Sequence, residues 1–446
     1  MDIEGKLVDY LPESAFGAVD GASNGSEAKS GASGWTPPGE LVHTYESDGR
    51  TFQIWRSTLV DERALEILSN MRILVPFFIE GGTIGFVDEP AWSLERWKLF
   101  LLYEVTSSSK SSSSYTLAGF STSYRLWVFP TDEITRNSSV NVSDEPFDPE
   151  QTTIPAPISP LNLLSRERIS QFIVLPPFQG QSHGSQLYNA MVSYFRADPL
   201  VFEITVEEPN ESFDVLRDMN DMAYLVSQTT SQDPSFTSLA LPVQVPAAEL
   251  KRTSYIPDLL STSDLNTLRA RAKLAPRQFQ RLVEIHTLST IPKAHRNVHR
   301  ITRKAASADA NDRRYYFWRL MVKERLFIRN KDQLVQLEEE ERVPKLEEIM
   351  PGVVDEYESR IEGFERRVDD YGLLAVVEAF YGSAQGKKQN KVVPKKRKVI
   401  EDDDDEETED SGVETKKRMR AAGRMKKVLP PTSDAEEEEG PNTLHA

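Results

Sequence analysis

Between Gln171 and Ser185 the chain reads QFIVLPPFQGQSHGS, and this run constrains the fold more than any other. Phe172, Ile173, Val174 and Leu175 have the composition of a buried strand. Pro176 and Pro177 stop it, because proline offers no N–H to a ladder. A loop of Gly, Gln and Ser follows, and then SQLYNAMVSYFRA, which has helical spacing. Strand, glycine loop and helix in that order place free amide N–H groups and the positive end of a helix dipole together, which suits a phosphate, although an ordinary strand-to-helix turn has the same order. Two phosphate chemistries are excluded. No Gly-Lys-Ser/Thr follows the loop, so it is not a nucleotide-hydrolysing P-loop, and the glycine spacing of a dinucleotide-binding turn is absent.

The flanking segments supply a sheet. ELVHTYES, Asp48-Gly49 and RTFQIWRSTL read as a hairpin around a turn dipeptide. Residues 61–75 carry apolar Ala64, Leu65, Ile67, Leu68 and Met71 at helix-compatible spacing. WKLFLLYEVT and YTLAGFSTSYRLWVFP read as strands joined by SSSKSSSS, and polar, proline-containing residues 131–165 as a loop. LVFEITVEEP is a further strand and ESFDVLRDMNDMAYLVSQ a further helix, so the pattern predicts a mixed sheet covered by helices. From about residue 245 long, charged, amphipathic runs predict a helical domain. The expected organisation is a flexible Gly/Ala/Ser-rich lead over 1–34, an α/β domain over 35–230, a helical domain over 231–384 and a disordered charged tail over 385–446.

The 446 residues carry a formal net charge of -17, but much of the acid lies in the tail runs EDDDDEETED and DAEEEE. The overall balance therefore says little about the folded part. The chain has no cysteine, which excludes disulfides, thiolate metal sites and a cysteine nucleophile and fits a reducing compartment. The start lacks the basic and apolar regions of a secretory signal, and no apolar run is long enough to cross a bilayer. The Asn-X-Ser matches at Asn137, Asn141 and Asn210 are accordingly read as chance. His43, His286, His295, His299 and His445 form no metal-ligand pattern; His295 and His299 lie in KAHRNVHR and read as basic surface. No metal and no nucleic-acid-binding fold are expected.

The loop resembles the acetyl-CoA loop of GNAT-type acetyltransferases. More closely, RISQFIVLPPFQGQSHGSQLY is similar to the catalytic subunits of type B histone acetyltransferases. LVHTYES…FQIW, FFIEGGTIGFVD…ERWKLFLLYE, STSYRLWVFP and LVFEITVEEPNESFDVLRD match the same family in order. The resemblance spans about residues 35–230, and more loosely the helical region to about 380. It implies an α+β fold, a GNAT-like acyl-CoA N-acyltransferase mixed sheet with covering helices, followed by a helical C-terminal domain and a disordered tail.

The resemblance also implies roles. Main-chain groups of Phe172, Ile173 and Val174 would meet the pantetheine arm of acetyl-CoA. Gln179, Gly180, Gln181, Ser182, His183, Gly184 and Ser185 would hold its pyrophosphate, and Ser212 would touch it from the next helix start. Glu207 corresponds to the general base, Glu208 follows where the family more often has Asp, and Glu80 in FFIEGG matches a third acid. Such chemistry is needed because a lysine ammonium with a pKa of about 10.4 is not a nucleophile until it loses a proton. His183 reads as a loop or helix-start residue rather than a catalyst. Two departures stand out. Ser182 occupies the place of the family's first motif glycine; it keeps an N–H donor and suits a helix N-cap, but its Cβ disfavours positive φ. The family also usually has a longer N-terminal domain before the HTY region, where this chain has a short low-complexity lead.

The tail contains PKKRKV, residues 394–399, which looks like a nuclear import signal and implies an import receptor as partner. The acidic run 401–410 would either meet histones through charge or merely solvate the chain. The expected protein moves acetyl from acetyl-CoA to lysines of newly made histones, chiefly the histone H4 tail (with H3 as the companion histone), in nucleus and cytoplasm, beside a WD-repeat histone-binding subunit. A catalytically impaired histone binder and a small-amine acetyltransferase are the alternatives.

Overall fold

The hairpin at the start of the sheet shows how local sequence sets its register. β1 (Glu40–Ser47) and β2 (Arg50–Thr58) pair antiparallel, with Ser47 opposite Arg50. Asp48 and Gly49 between them both have positive φ, +49° and +74°. That is the turn whose twist matches two antiparallel strands. In this computed structural model residues 35–80, 82, 90–107, 113–128, 160–231, 262–301 and 309–381 are described. The expectations for residues 1–34, for most of the 131–165 loop, for 232–261 and for everything past 381, including PKKRKV in the tail, lie outside them.

The sheet continues through β3 (Trp97–Ser107), β4 (Ser113–Trp127), β5 (Ser165–Val174) and β6 (Val201–Val206) in chain order. Every neighbouring pair is antiparallel except β5 and β6, which run parallel. The parallel pair is joined by helix α3 (His183–Ala197), because a parallel connection needs a crossover. β3 is apolar on both sides, as its LFLLY run requires. Phe100 and Leu102 pack with Phe52, Ile54, Leu187, Met191 and Phe195 under α3. Leu99, Leu101 and Tyr103 pack with Ala64, Leu68 and Met71 of α1 (Glu62–Met71) on the other face. A short helix α2 (Leu74–Phe78) follows α1.

A third core is helical. It joins α4 (Glu211–Ser231) to α5 (Thr262–Ala272), α6 (Pro276–Ser289), α7 (Ala310–Arg329), α8 (Glu339–Tyr371) and α9 (Leu373–Tyr381), around fully buried Trp318, Leu282 and Met350. Because α4 belongs to this core and also packs on α3, the helical region meets the sheet region along α4. The helical region also covers the outer edge of β6: Ile204 N donates to Lys273 O at 2.7 Å. Lys273 Nζ donates to Phe195 O at 3.3 Å and to Asp198 O at 2.5 Å, which satisfies carbonyls at the end of α3. All described residues belong to one compact unit, Met1–Lys395. None of their helices is long and apolar enough to cross a membrane.

Candidate functional site

β5 is paired on both sides only along its first half. Against β6 the ladder ends at Ile169 and Val206. Against β4 it continues to Val174, with a register shift that leaves Ser170 as an extra residue between Ile169 and Gln171. A bulge of this kind bends a strand and re-aims its groups. Beyond it Gln171 N donates to Thr122 Oγ1 at 3.2 Å and Leu175 N to Ala118 O at 2.9 Å. Antiparallel alternation then turns the main chain of Ile173 toward β4 and that of Phe172 and Val174 toward the unpaired side. Val174 O does accept there, from Gln179 Nε2 at 2.8 Å. Of the three residues expected at a pantetheine arm, Phe172 and Val174 offer main-chain groups on the open edge. Ile173 instead buries its side chain in the sheet core, 3% exposed.

The loop after β5 carries two left-handed residues, Gly180 at φ +73° and Ser182 at φ +66°. Ser182 sits at the N-cap of α3, but its side chain makes no capping bond, contrary to the capping role its type suggests. What the position uses is its backbone turn. The β1–β2 hairpin clamps the loop. Arg50 Nη2 donates to Gln181 Oε1 at 2.5 Å, Gln181 Nε2 donates to Pro177 O at 2.9 Å, and Arg50 also meets Glu104 at 3.4 Å. His183 is buried, with Nδ1 at 2.7 Å from Tyr45 Oη and its ring 4.1 Å from that of Phe52. Burial, aided by the charge of Arg50, lowers its pKa to about 4, so the ring is a neutral packing element. Ser185 is also turned inward, accepting from Asn220 Nδ2 at 3.1 Å. Gly184 packs closely against α4: a Cβ there would come within 2.7 Å of Leu216 Cδ1, so that methyl would have to move.

These groups border a cavity of about 890 Å³. Phe172, Val174, Gly180, Ser182 and Gly184 form part of its wall, together with Ser212 in the first turn of α4. That helix is capped by Asn210, whose Oδ1 accepts from Phe213 N at 2.9 Å. Phe78 of α2 and Leu216 and Met219 of α4 add to the wall, and α8 and α9 contribute Arg360, Arg366, Arg367 and Tyr371, for which the sequence had given no signal.

Glu207 is the first residue past β6, at the fork where β5 and β6 part. Its N donates to Ile169 O at 2.9 Å, and its Oε2 accepts from Ser170 Oγ at 2.6 Å. The bulge residue thus orients this carboxylate. Glu208 follows in a left-handed turn at φ +35°, and Glu80 stands just past the end of α2; all three acids are exposed. Among the described residues no hydrogen bond joins Glu208 or Glu80 to Glu207. His295 proves not to be simple basic surface. Its Nδ1 lies 2.7 Å from Asp312 Oδ1 and 3.5 Å from Asp309, and these three ligand atoms lie within 4.8 Å of one another. Arg300 already binds both oxygens of Asp312, at 2.8 and 3.2 Å, so the group is satisfied as an ion pair.

A strand edge left open above a bulge, an amide loop at a helix start and a cavity beside both define a cleft for an extended, phosphate-bearing ligand. Comparison with known proteins gives the same direction. A family model described as histone acetyl transferase HAT1 N-terminus matches residues 1–80, so the low-complexity lead falls inside the matched region. A histone acetyltransferase type B catalytic subunit of Aspergillus oryzae is 36% identical over 381 residues, covering 82% of this chain and 71% of that protein. Proteins of the same description from Emericella nidulans and Schizosaccharomyces pombe are 35% and 31% identical, covering 82% and 83% of this chain and 74% and 75% of their own lengths. The chain belongs to the family of type B histone acetyltransferase catalytic subunits, and is by that membership an acyltransferase.

Proposed function

We propose that this protein transfers acetyl from acetyl-CoA to lysine side chains of newly made histones, chiefly the N-terminal tail of histone H4, with Glu207 as general base. The observation that carries the reading is the fork. The main chain of Phe172 and Val174 on the unpaired side of β5, where Val174 O accepts from Gln179 Nε2, lies on the same strand as Ser170, which holds the Glu207 carboxylate. A GNAT-like arrangement of this kind sets a thioester along the open edge with the base beside its carbonyl. The lysine amine attacks that carbonyl directly, the N–C bond forms, and the C–S bond breaks with release of CoA. Glu207 accepts the proton from nitrogen, directly or through water. With no cysteine in the chain, no cysteinyl acetyl-enzyme is formed.

When bound, acetyl-CoA supplies the activated acetyl group. Phe172 and Val174 would bind its pantetheine amides, and the amides of Gln179 to Ser185 its pyrophosphate. Glu208 and Glu80 would add negative charge that draws a basic histone tail. A WD-repeat histone-binding partner, an import receptor for PKKRKV and residence in nucleus and cytoplasm complete the proposal.

The test pairs calorimetric binding of acetyl-CoA with acetylation of a histone H4 tail peptide. Glu207→Gln should keep cofactor affinity and lose roughly 100-fold or more in transfer, the scale of a general base. Unchanged transfer by that variant would remove Glu207 from the mechanism, and absence of acetyl-CoA binding by the wild type would remove the acetyl-CoA reading.

A further inference from the structure

Arg366 and Arg367 lie in the last two turns of α8, on the wall of the cavity that the loop does not form. Arginines on such a wall are normally neutralised by carboxylates. Arg360 is: it pairs with Asp218 at 3.5 Å and Glu356 at 3.7 Å. Arg366 has Glu362 one turn away, but that carboxylate already accepts from Lys293 at 2.9 Å. Arg367 is half-buried and makes no ion pair with any described carboxylate. Burial lowers its pKa and the adjacent Arg366 adds to this, with Tyr371 acting in the opposite direction, so the guanidinium stands partly desolvated beside a second cation. Glu211 is the carboxylate that also borders the cavity, from the first turn of α4.

The cofactor has two phosphate-bearing parts. Its pyrophosphate is accounted for by the amide loop at the start of α3. The second is the 3′-phosphate on the adenosine ribose, a compact dianion that a planar guanidinium grips with two parallel N–H bonds. We infer that Arg367, with Arg366 beside it, is the recognition site for the 3′-phosphate of acetyl-CoA. This rests on the cavity being the acetyl-CoA site. It gives the C-terminal helices a direct part in cofactor choice: the protein distinguishes CoA thioesters from their dephospho forms through residues far along the chain from the loop.

The experiment is calorimetry of acetyl-CoA and of 3′-dephospho-acetyl-CoA with the full chain, as wild type, Arg367→Gln and Arg366→Gln. The wild type should prefer acetyl-CoA by about 10- to 100-fold, the scale of a charge-assisted bidentate contact. Arg367→Gln should weaken acetyl-CoA by that factor and leave the dephospho compound unchanged, so that the preference disappears; Arg366→Gln should reduce it in part. Equal affinity of the wild type for both compounds would overturn the assignment without any variant. Equal weakening of both by Arg367→Gln would place the guanidinium on another part of the cofactor and overturn it too. If the wild type binds neither compound, the acetyl-CoA reading itself fails, a result distinct from the other two.

Discussion

Replacing Ser182 by glycine tests whether the loop between β5 and α3 holds its conformation before any ligand arrives. Ser182 sits at φ +66° and ψ +4°, is exposed, and makes no side-chain capping bond. A residue with a Cβ in this left-handed region costs about 1–2 kcal/mol. Glycine removes that cost, but it also loosens the unfolded chain, which returns about 0.4–1 kcal/mol. Ser182→Gly should therefore stabilise the protein by about 0.5–1 kcal/mol. Ser182→Ala, which keeps the Cβ and loses only an unused hydroxyl, should stay within about 0.5 kcal/mol of wild type. Urea unfolding of the three proteins, followed by one probe through the same transition, reads the differences. Cofactor affinity should move by less than about twofold, because the strain is present in the free and the bound state and cancels between them. A tenfold gain in acetyl-CoA affinity for Ser182→Gly would refute this: the left-handed turn would then be formed only on binding. So would destabilisation by Ser182→Gly with a neutral Ser182→Ala.

Two further outcomes follow from contacts around the loop and fork. Ser170→Ala removes the donor to Glu207 Oε2, and at an exposed position a charge-assisted hydrogen bond is worth about 1 kcal/mol, so kcat should fall about fivefold while acetyl-CoA affinity is retained. Ser170→Thr, which keeps the donor, should recover most of that loss; an alanine variant with full kcat would show that the bond does not position the base. His43 and His183 both have pKa values lowered to about 4, chiefly by burial. Above pH 6.5 both are neutral whether folded or not. Between pH 6.5 and 4 the unfolded chain takes up protons that the folded chain refuses, so stability falls as the pH falls through that window. The loss is at most about 3 kcal/mol per histidine. His43→Gln should flatten the decline measured by urea unfolding at pH 7 and pH 4.5, and an unchanged slope would exclude His43 as a contributor.

Much of this architecture was legible because its causes are local. Asp48-Gly49 specifies a turn from its own dihedral preferences, and the two-sided apolar run of β3 announces a strand covered on both faces. The strand, proline pair, loop and helix over 171–197 appear where the residues place them, with helix α3 starting two residues earlier than the apolar pattern begins. Other features had no local signal. Asn210 reads as a chance sequon match but serves as a helix cap. Pro351 would ordinarily break a helix. Yet α8 runs through it, with buried Met350 and Tyr357 on either side anchoring the helix to the third core.

By itself, then, the sequence determined the order and type of the elements, the Gly, Gln and Ser loop between strand and helix and the acids at the end of β6. These follow from periodicity, turn residues and backbone donors, which act over a few neighbouring positions. Only the tertiary structure decided which main-chain groups face the open edge, that Ser170 bulges and holds Glu207, and that Ser182 serves through its backbone. It also decided that Arg360 is neutralised while Arg367 beside the same cavity is not. Those outcomes depend on strand register and on charges brought together from distant parts of the chain, and a pairing partner cannot be read from the residue that lacks one.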